Sequence, residues 1–388
     1  MIAMGPKFIP SLDPNPLPAP YWVFKLLLLV TFVLHIVAMN FLLGGAVLAL
    51  VARWRPGNVQ QRNRAFADIA KKLPVFLPAT ITLGIAALLF VQVLYGQFFY
   101  TSSVIVAWPW FLVLVFLTIA YYGFYYVSFQ KYGSSARTNV VMLMSVLLIF
   151  TIGFIYSNNF TLSQTPSRWQ GKYFANPGGW NLNLSEPTLI PRFLHFFTAA
   201  VAVGGLMLVF LALARSKKDP EYGKYLFQLG GKAFLYATMA QFLIGTWFVI
   251  SLPREVRSLF LRDGLPIALL GAGIAGGLAS IFIMSEALHK QDIRRAAYYV
   301  TPLMAVVISC MAVMRDVLRG IYLKPYFHPE QFAVKTQWSV FPLFLGLFIA
   351  GVVLWFGMLY RYGLFSAANK PSVQSTEQTQ PAAFAGQR

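Results

Sequence analysis

The chain is a succession of long apolar runs joined by short polar loops, and this pattern limits its fold more than any motif does. Nine runs can be marked, at roughly 22–52, 73–95, 104–128, 139–157, 190–214, 233–252, 264–285, 297–314 and 338–360. Most reach or approach the ~20 residues that a helix needs to cross ~30 Å of hydrocarbon. Inside lipid the backbone must satisfy its own hydrogen bonds, which a helix does within one segment. The expected fold class is all-α, a polytopic membrane helical bundle of about nine transmembrane helices. The first run is longer than one span requires, so it must tilt or protrude.

Composition removes the competing classes. The 388 residues are 58% hydrophobic and 11% charged, with mean hydropathy +0.63, whereas soluble domains carry ~25% charged residues. Such hydrophobicity excludes disorder for the bulk of the chain. An outer-membrane barrel would show alternating polarity in ~10-residue segments instead. The single cysteine, Cys310, excludes a disulfide framework, an iron–sulfur site and thioether haem attachment on this chain. No phosphate loop, dinucleotide fingerprint or HExxH zinc motif occurs. The net charge of +19 reads as topological charge held in loops. A smaller share can attract anionic lipid. No basic stripe sits on a soluble domain, so nucleic acid is not expected as a partner.

Lysine and arginine placement orients the bundle. One set of loops holds Arg53, Arg55, Arg62, Arg64, Lys71, Lys72, Lys131, Arg137, Arg215, Lys217, Lys218, Lys224, Lys232, Lys290, Arg294 and Arg295. The opposite side holds fewer, among them Lys7, Lys25, Arg168, Lys172, Arg192, Arg315 and Arg319. The positive-inside rule then puts the N-terminus outside, in a bacterial inner membrane. Residues 1–21 carry six prolines and no apolar signal core, and read as a proline-rich surface arm rather than a cleavable signal. Residues 22–361 are expected to form the bundle, and the polar residues 362–388 a disordered cytoplasmic tail. The longest outside loop, about 158–189, contains Trp169 and Trp180 among Asn, Gly and Pro. It reads either as a lid or partner surface, or as a plain connection.

Four histidines are present. His289 and His328 fall in loops and read as solvated or interfacial. His35 and His195 lie inside apolar runs, where an ionisable group points to a functional site. Each reads as a haem-iron ligand or as an interhelical hydrogen bonder. A Gly pair follows nine residues after each, Gly44–Gly45 and Gly204–Gly205; small residues admit either a flat macrocycle or a closely packed helix. Arg192 precedes His195 by three residues, on the same helical face, where it can pair with a haem propionate or snorkel to the interface. Arg315 and Arg319 stand one turn apart at the end of the eighth run. They read as a second propionate clamp, as a quinone-headgroup clamp, or as a local charge cluster with Asp316. Gly271, Gly273, Gly276 and Gly277 read as a packing face before a cofactor cradle.

Taken together, these residues resemble subunit I of the cytochrome bd-type quinol oxidases. His35 with Gly44 is similar to the first-helix histidine that ligates a haem b in that family. Lys72 to Gly96 (KKLPVFLPATITLGIAALLFVQVLYG) resembles its second helix. Asn158 to Pro166 (NNFTLSQTP), then Arg192 to His195 (RFLH) and Gly204, resemble the loop and helix that carry the low-spin haem ligand. The resemblance implies one or two b-type haems and quinol as substrate. Four positions depart from the pattern. Gln92 stands where the family has a glutamate. Ser309, Cys310 and Met311 occupy the region of its second glutamate. The quinol loop shrinks to about Pro253–Gly264, and the methionine expected early in the seventh run is missing.

Intramembrane carboxylates are the usual proton relays, so these departures argue against oxygen reduction. The expected function is an integral-membrane b-type haem electron-transfer subunit of a respiratory complex. It would pass electrons between membrane quinol and a c-type cytochrome or iron–sulfur partner on the outer face. The alternatives are a quinol:oxygen oxidoreductase subunit and a haem-free membrane anchor. A transporter is disfavoured, because no inverted repeat or pair of broken helices is visible.

Overall fold

The computed structural model describes residues 9–11, 15–130, 135–358 and 361. The expected tail, 362–388, lies outside them, as do residues 1–8 and 12–14 of the arm. Thirteen α-helices follow in order: α1 (Tyr21–Trp54), α2 (Val59–Ala70), α3 (Leu73–Val106), α4 (Trp108–Phe129), α5 (Ala136–Ser163), α6 (Trp169–Ala175), α7 (Leu189–Arg215), α8 (Pro220–Ser251), α9 (Arg254–Phe260), α10 (Gly264–Lys290), α11 (Ile293–Arg295), α12 (Thr301–Leu323) and α13 (Val340–Met358). A π-helical segment, Ala296–Val300, joins α11 to α12. Among the described residues nine helical stretches are long and apolar enough to cross a membrane: α1, α2–α3, α4, α5, α7, α8, α10, α11–α12 and α13.

The helices start where the sequence supplies caps. Asn58 accepts from the Gln60 amide at 2.9 Å, Asp219 from Tyr222 at 3.0 Å and Asp292 from Arg295 at 2.9 Å, each satisfying a donor the helix leaves free. The longest single extensions beyond the apolar runs are at the end of α3 and the start of α8. The third helix continues past residue 95 to Val106, with a kink at Tyr95 (φ −135°, ψ 28°) next to Gly96. The chain then reverses into α4 at Ala107, whose φ is +42°. The eighth helix begins at Pro220, well before residue 233. Its first turns carry Glu221, Lys224 and Lys232, which lower the hydropathy, yet Tyr222, Leu226, Phe227 and Gly230 are buried.

The seventh helix is the axis of the bundle: 61% of its most apolar window is buried, against none for α13. Glycine sets its neighbours. A Cβ on Gly44 would lie 1.8 Å from the Ala200 carbonyl oxygen, and one on Gly205 would lie 2.5 Å from that of Gly230. The Gly pairs after the two histidines are therefore helix-crossing points, α1 on α7 and α7 on α8, and they admit no macrocycle.

One end of the bundle gathers the basic loops. Asp68 on α2 is buried and accepts from the Tyr222 hydroxyl at 3.0 Å, while Arg215 lies 3.1 Å away. Arg64 pairs with Asp219 and sits 3.9 Å from the Tyr222 ring centroid. These contacts fasten α2 across the ends of α7 and α8.

The other end carries the 164–188 connection. It is fixed in place: Trp169 is buried and donates to the Leu162 carbonyl at 2.9 Å, and the Asn183 amide donates to Asn158 Oδ1 at 2.9 Å. Arg168 pairs with Glu186 at 3.2 Å, and Lys172 donates to the Leu182 carbonyl at 2.9 Å. At this end Leu17 forms a bridge with Val334, and Leu17 and Ala19 are buried.

Candidate functional site

A cavity of about 430 Å³ opens between α1, α7, α8, α10 and α12 in the half of the bundle nearer the 164–188 connection. Its walls are mostly apolar, with Phe32, Ile36, Phe196, Phe242, Phe248 and Val307 among them. Along α7 it runs from Arg192 to Val203, which at 1.5 Å per residue is about 16 Å.

The polar groups in its wall are few and placed by helix geometry. Arg192 and His195 are one turn apart on α7 and both line it. The Gln241 side-chain amide donates to the His195 backbone oxygen at 2.8 Å, tying α8 to α7 at that level. Gly245 leaves room beside the ring, since a Cβ there would be 3.7 Å from His195 Cε1. His195 Nδ1 is buried and has no hydrogen-bond partner. Arg192 donates to Gln164 Oε1 at 3.3 Å and lies 5.2 Å from the Phe248 ring, while its Nε has no partner. Arg315 enters from α12, held between Phe32 at 4.4 Å and Phe160 at 4.9 Å.

Sequence reasoning left the methionines unsorted. In the structure Met304, Met311 and Met314 all line this cavity. The α7 and α12 helices traverse the bundle in opposite directions. Arg192 with His195 three residues on therefore matches Arg315 with Met311 four residues back. Each arginine thus has a neighbour one turn away along its own helix, on the side away from the 164–188 connection, His195 on α7 and Met311 on α12, and all four line the cavity. At the deep end, Asn40, Thr238 and Gln241 line the cavity, each with a buried polar atom lacking a partner.

Two of the expected site residues lie elsewhere. His35 faces α3, where its Nδ1–H donates to the Thr80 carbonyl oxygen at 2.9 Å. Its ring rests on Gly84, where a Cβ would come within 2.7 Å. It does not line the cavity, because Ile36 and Phe32 carry the α1 face that does. Arg319 lies beyond the cavity rim, its guanidinium 4.8 Å from the Tyr95 ring and 3.5 Å from Asp316. His289 and His328 are exposed, as their loop positions implied.

The chemistry of this lining fits a b-type haem. The body of the cavity is apolar and elongated, one imidazole has an orphaned nitrogen, and two cations stand at one end. Near that rim Lys25 and Arg319 lie against the carboxylate of Asp316, the charge of Arg315 interacts with those of Arg192 and Asp316, and Glu186 is paired with Arg168. Two propionates would balance this surplus through charge-assisted hydrogen bonds.

The molecule is thus a polytopic helical membrane protein with a cofactor-sized cavity between five helices. No family model and no curated protein matches its sequence. Its fold is similar to that of a solved structure: it superposes on a chain of the bd oxidase from Geobacillus thermodenitrificans with a TM-score of 0.72 at 12% identity, covering 91% of this chain and 100% of that one. The bd oxidase fold expected from the sequence is therefore present.

Proposed function

We propose that this chain is an integral-membrane haem-b electron-transfer subunit of a respiratory complex, working between membrane quinol and a redox partner on the outer face. The observation that carries the reading is the convergence of His195, Arg192 and Arg315 on one elongated apolar cavity. A bound haem supplies a one-electron couple. His195 would offer an imidazole nitrogen to its iron, and Met311 is a thioether in the same cavity wall. Arg192 and Arg315 would hold its carboxylates, and the phenylalanines would exclude water. His35 has its Nδ1–H anchored on a carbonyl, the arrangement that frees the other nitrogen of a metal-ligating histidine. In the two-haem form of this proposal His35 is the second ligand.

The Lys/Arg bias supports an outer location for the 164–188 end. Electrons would leave there, to a c-type cytochrome or an iron–sulfur protein. The second reading, a quinol:oxygen oxidoreductase subunit, is favoured by the bd oxidase fold itself. Against it, Gln92 replaces the carboxylate of the second helix. A visible spectrum of the purified chain decides: a b-type α-band that is lost in His195→Ala supports the proposal. A spectrum without haem overturns it. Cyanide-tolerant oxygen uptake driven by reduced quinol would transfer the assignment to the oxidase.

A further inference from the structure

Two residues of the cavity wall are joined by one hydrogen bond, and each keeps a buried polar atom with no partner. His195 Nδ1 on α7 makes no hydrogen bond, not even to a carbonyl of its own helix. Gln241 Oε1 on α8 makes none either. Their link is the Gln241 Nε2, which donates to the His195 backbone oxygen at 2.8 Å. That bond orients the amide: a carbonyl oxygen only accepts, so the NH2 group faces it and Oε1 is the end left over. The two orphans are complementary, since a neutral imidazole carries a hydrogen on one nitrogen and an amide oxygen accepts it. Gly245, one turn along α8, presents no side chain to this edge of the ring, and even a Cβ there would stand 3.9 Å from Nδ1. The ring therefore has room to turn. Asn40 and Thr238 also carry unpaired oxygens in this wall, but neither side chain is bonded to His195.

We propose that Gln241 is the positioning residue of His195: its Oε1 accepts the Nδ1–H, so that Nε2 is the nitrogen presented to the cavity with its lone pair. This rests on the haem reading above. A metal-ligating histidine almost always donates its second ring N–H to an oxygen, which sets the tautomer and makes the ligating nitrogen more basic. His35 has a backbone oxygen for this purpose, that of Thr80. His195 has none, and the Gln241 amide takes that place. With both ends engaged, one amide holds the backbone oxygen and the ring of the same residue, and two costly buried orphans are removed together. The ring turns about its own torsions, and no proton or electron changes hands. A more basic imidazole favours the ferric state, so Gln241 holds the midpoint potential down. It acts through His195 and is not itself a ligand.

The test combines haem-binding and redox titrations of the purified full chain and its variants. Gln241→Met keeps the length of the side chain and removes both polar atoms. Its haem affinity should fall by roughly 10–100-fold. Its midpoint should rise, by about 59 mV for each factor of ten by which the ferric form loses more affinity than the ferrous form. Gln241→Glu keeps an acceptor oxygen and should not raise the midpoint. A mere packing tie between α7 and α8 would move both variants the same way. Should Gln241→Met fail to fold, Gln241→Asn serves: it keeps the amide but draws it back by one carbon, and the midpoint should rise as in Gln241→Met. A haem-loaded Gln241→Met or Gln241→Asn with the wild-type midpoint, or an equal rise in Gln241→Glu, overturns the proposal. A wild type with no haem band overturns the haem reading itself, an outcome distinct from haem-loaded variants whose midpoints do not move.

Discussion

Gly44 and Gly204 touch: a Cβ on Gly204 would lie 2.5 Å from the Gly44 carbonyl carbon and 2.7 Å from its Cα. The crossing of α1 over α7 is therefore set by backbone against backbone, and it fixes how Phe32, Ile36 and Asn40 face His195 across the cavity. The same pair explains why α7 is the most enclosed span.

Enlarging either glycine should separate the helices. Gly44→Val or Gly204→Val is expected to destabilise the bundle by about 1–3 kcal/mol through overpacking, read as a lower thermal midpoint in detergent. Gly271→Ala meets open space and should leave the midpoint near that of the wild type. Equal behaviour of the two classes would contradict the crossing.

The two arginines at the cavity rim should act on the cofactor rather than on folding. Arg192→Leu and Arg315→Leu each remove a charge-assisted hydrogen bond, worth about 1.5–3 kcal/mol. Haem should be lost more readily on dilution, and the midpoint potential of the haem retained should fall, because a cation that favours the reduced state has gone. The checks are haem equivalents by pyridine haemochrome and a redox titration. Arg262→Leu, outside the cavity, should change neither.

The Asp219 cap gives an acid-sensitive contact at the α2 end. Its carboxyl is held below the ordinary aspartate range, first by the Tyr222 amide it caps and then by Arg64. A depressed value in the folded state means the contribution to stability is present above the ordinary aspartate pKa and is lost as pH falls through the lower, folded one. Asp219→Ala should therefore lower the melting temperature at neutral pH, and the gap to the wild type should close in acid. A gap that persists at low pH would place the effect elsewhere.

The 164–188 connection holds two tryptophans in opposite situations. Trp169 is 3% exposed, while Trp180 is 59% exposed and stacks on Trp108 at 6.4 Å. Trp169→Ala should cost about 3–5 kcal/mol as a buried aromatic truncation. Trp180→Ala should leave stability nearly unchanged but weaken association with the proposed redox partner, measured by co-purification and by the rate of quinol-driven reduction. Arg168 and Lys172, two cations of the same connection, are engaged with Glu186 and the Leu182 carbonyl. Burial, and then Arg168, also lowers the Lys172 pKa. Replacing them should disturb the loop before it disturbs docking.

The sequence by itself determined that the chain is a helical membrane bundle of about nine spans. A run of ~20 apolar residues has one way to bury its backbone in lipid, and no tertiary information is needed to see it. It also gave Arg192 and His195 a common face, because three residues is nearly one turn of a helix. Tertiary structure decided the rest, since each remaining question asked which residues far apart in the chain meet. Met311 and Arg315 join His195 only because α12 packs across from α7 in the opposite direction. His35 has the same local setting as His195, yet its side of α1 faces Thr80 and Gly84. The Gly pairs looked the same whether they cradled a macrocycle or a helix, and only the partner backbone at Ala200 and Gly230 settled it. Asp316 looked like a helix-end charge beside two arginines until α1 brought Lys25 to within 2.8 Å. Periodicity assigns a residue to a face of its own helix; what that face meets is fixed by the packing of all the helices together.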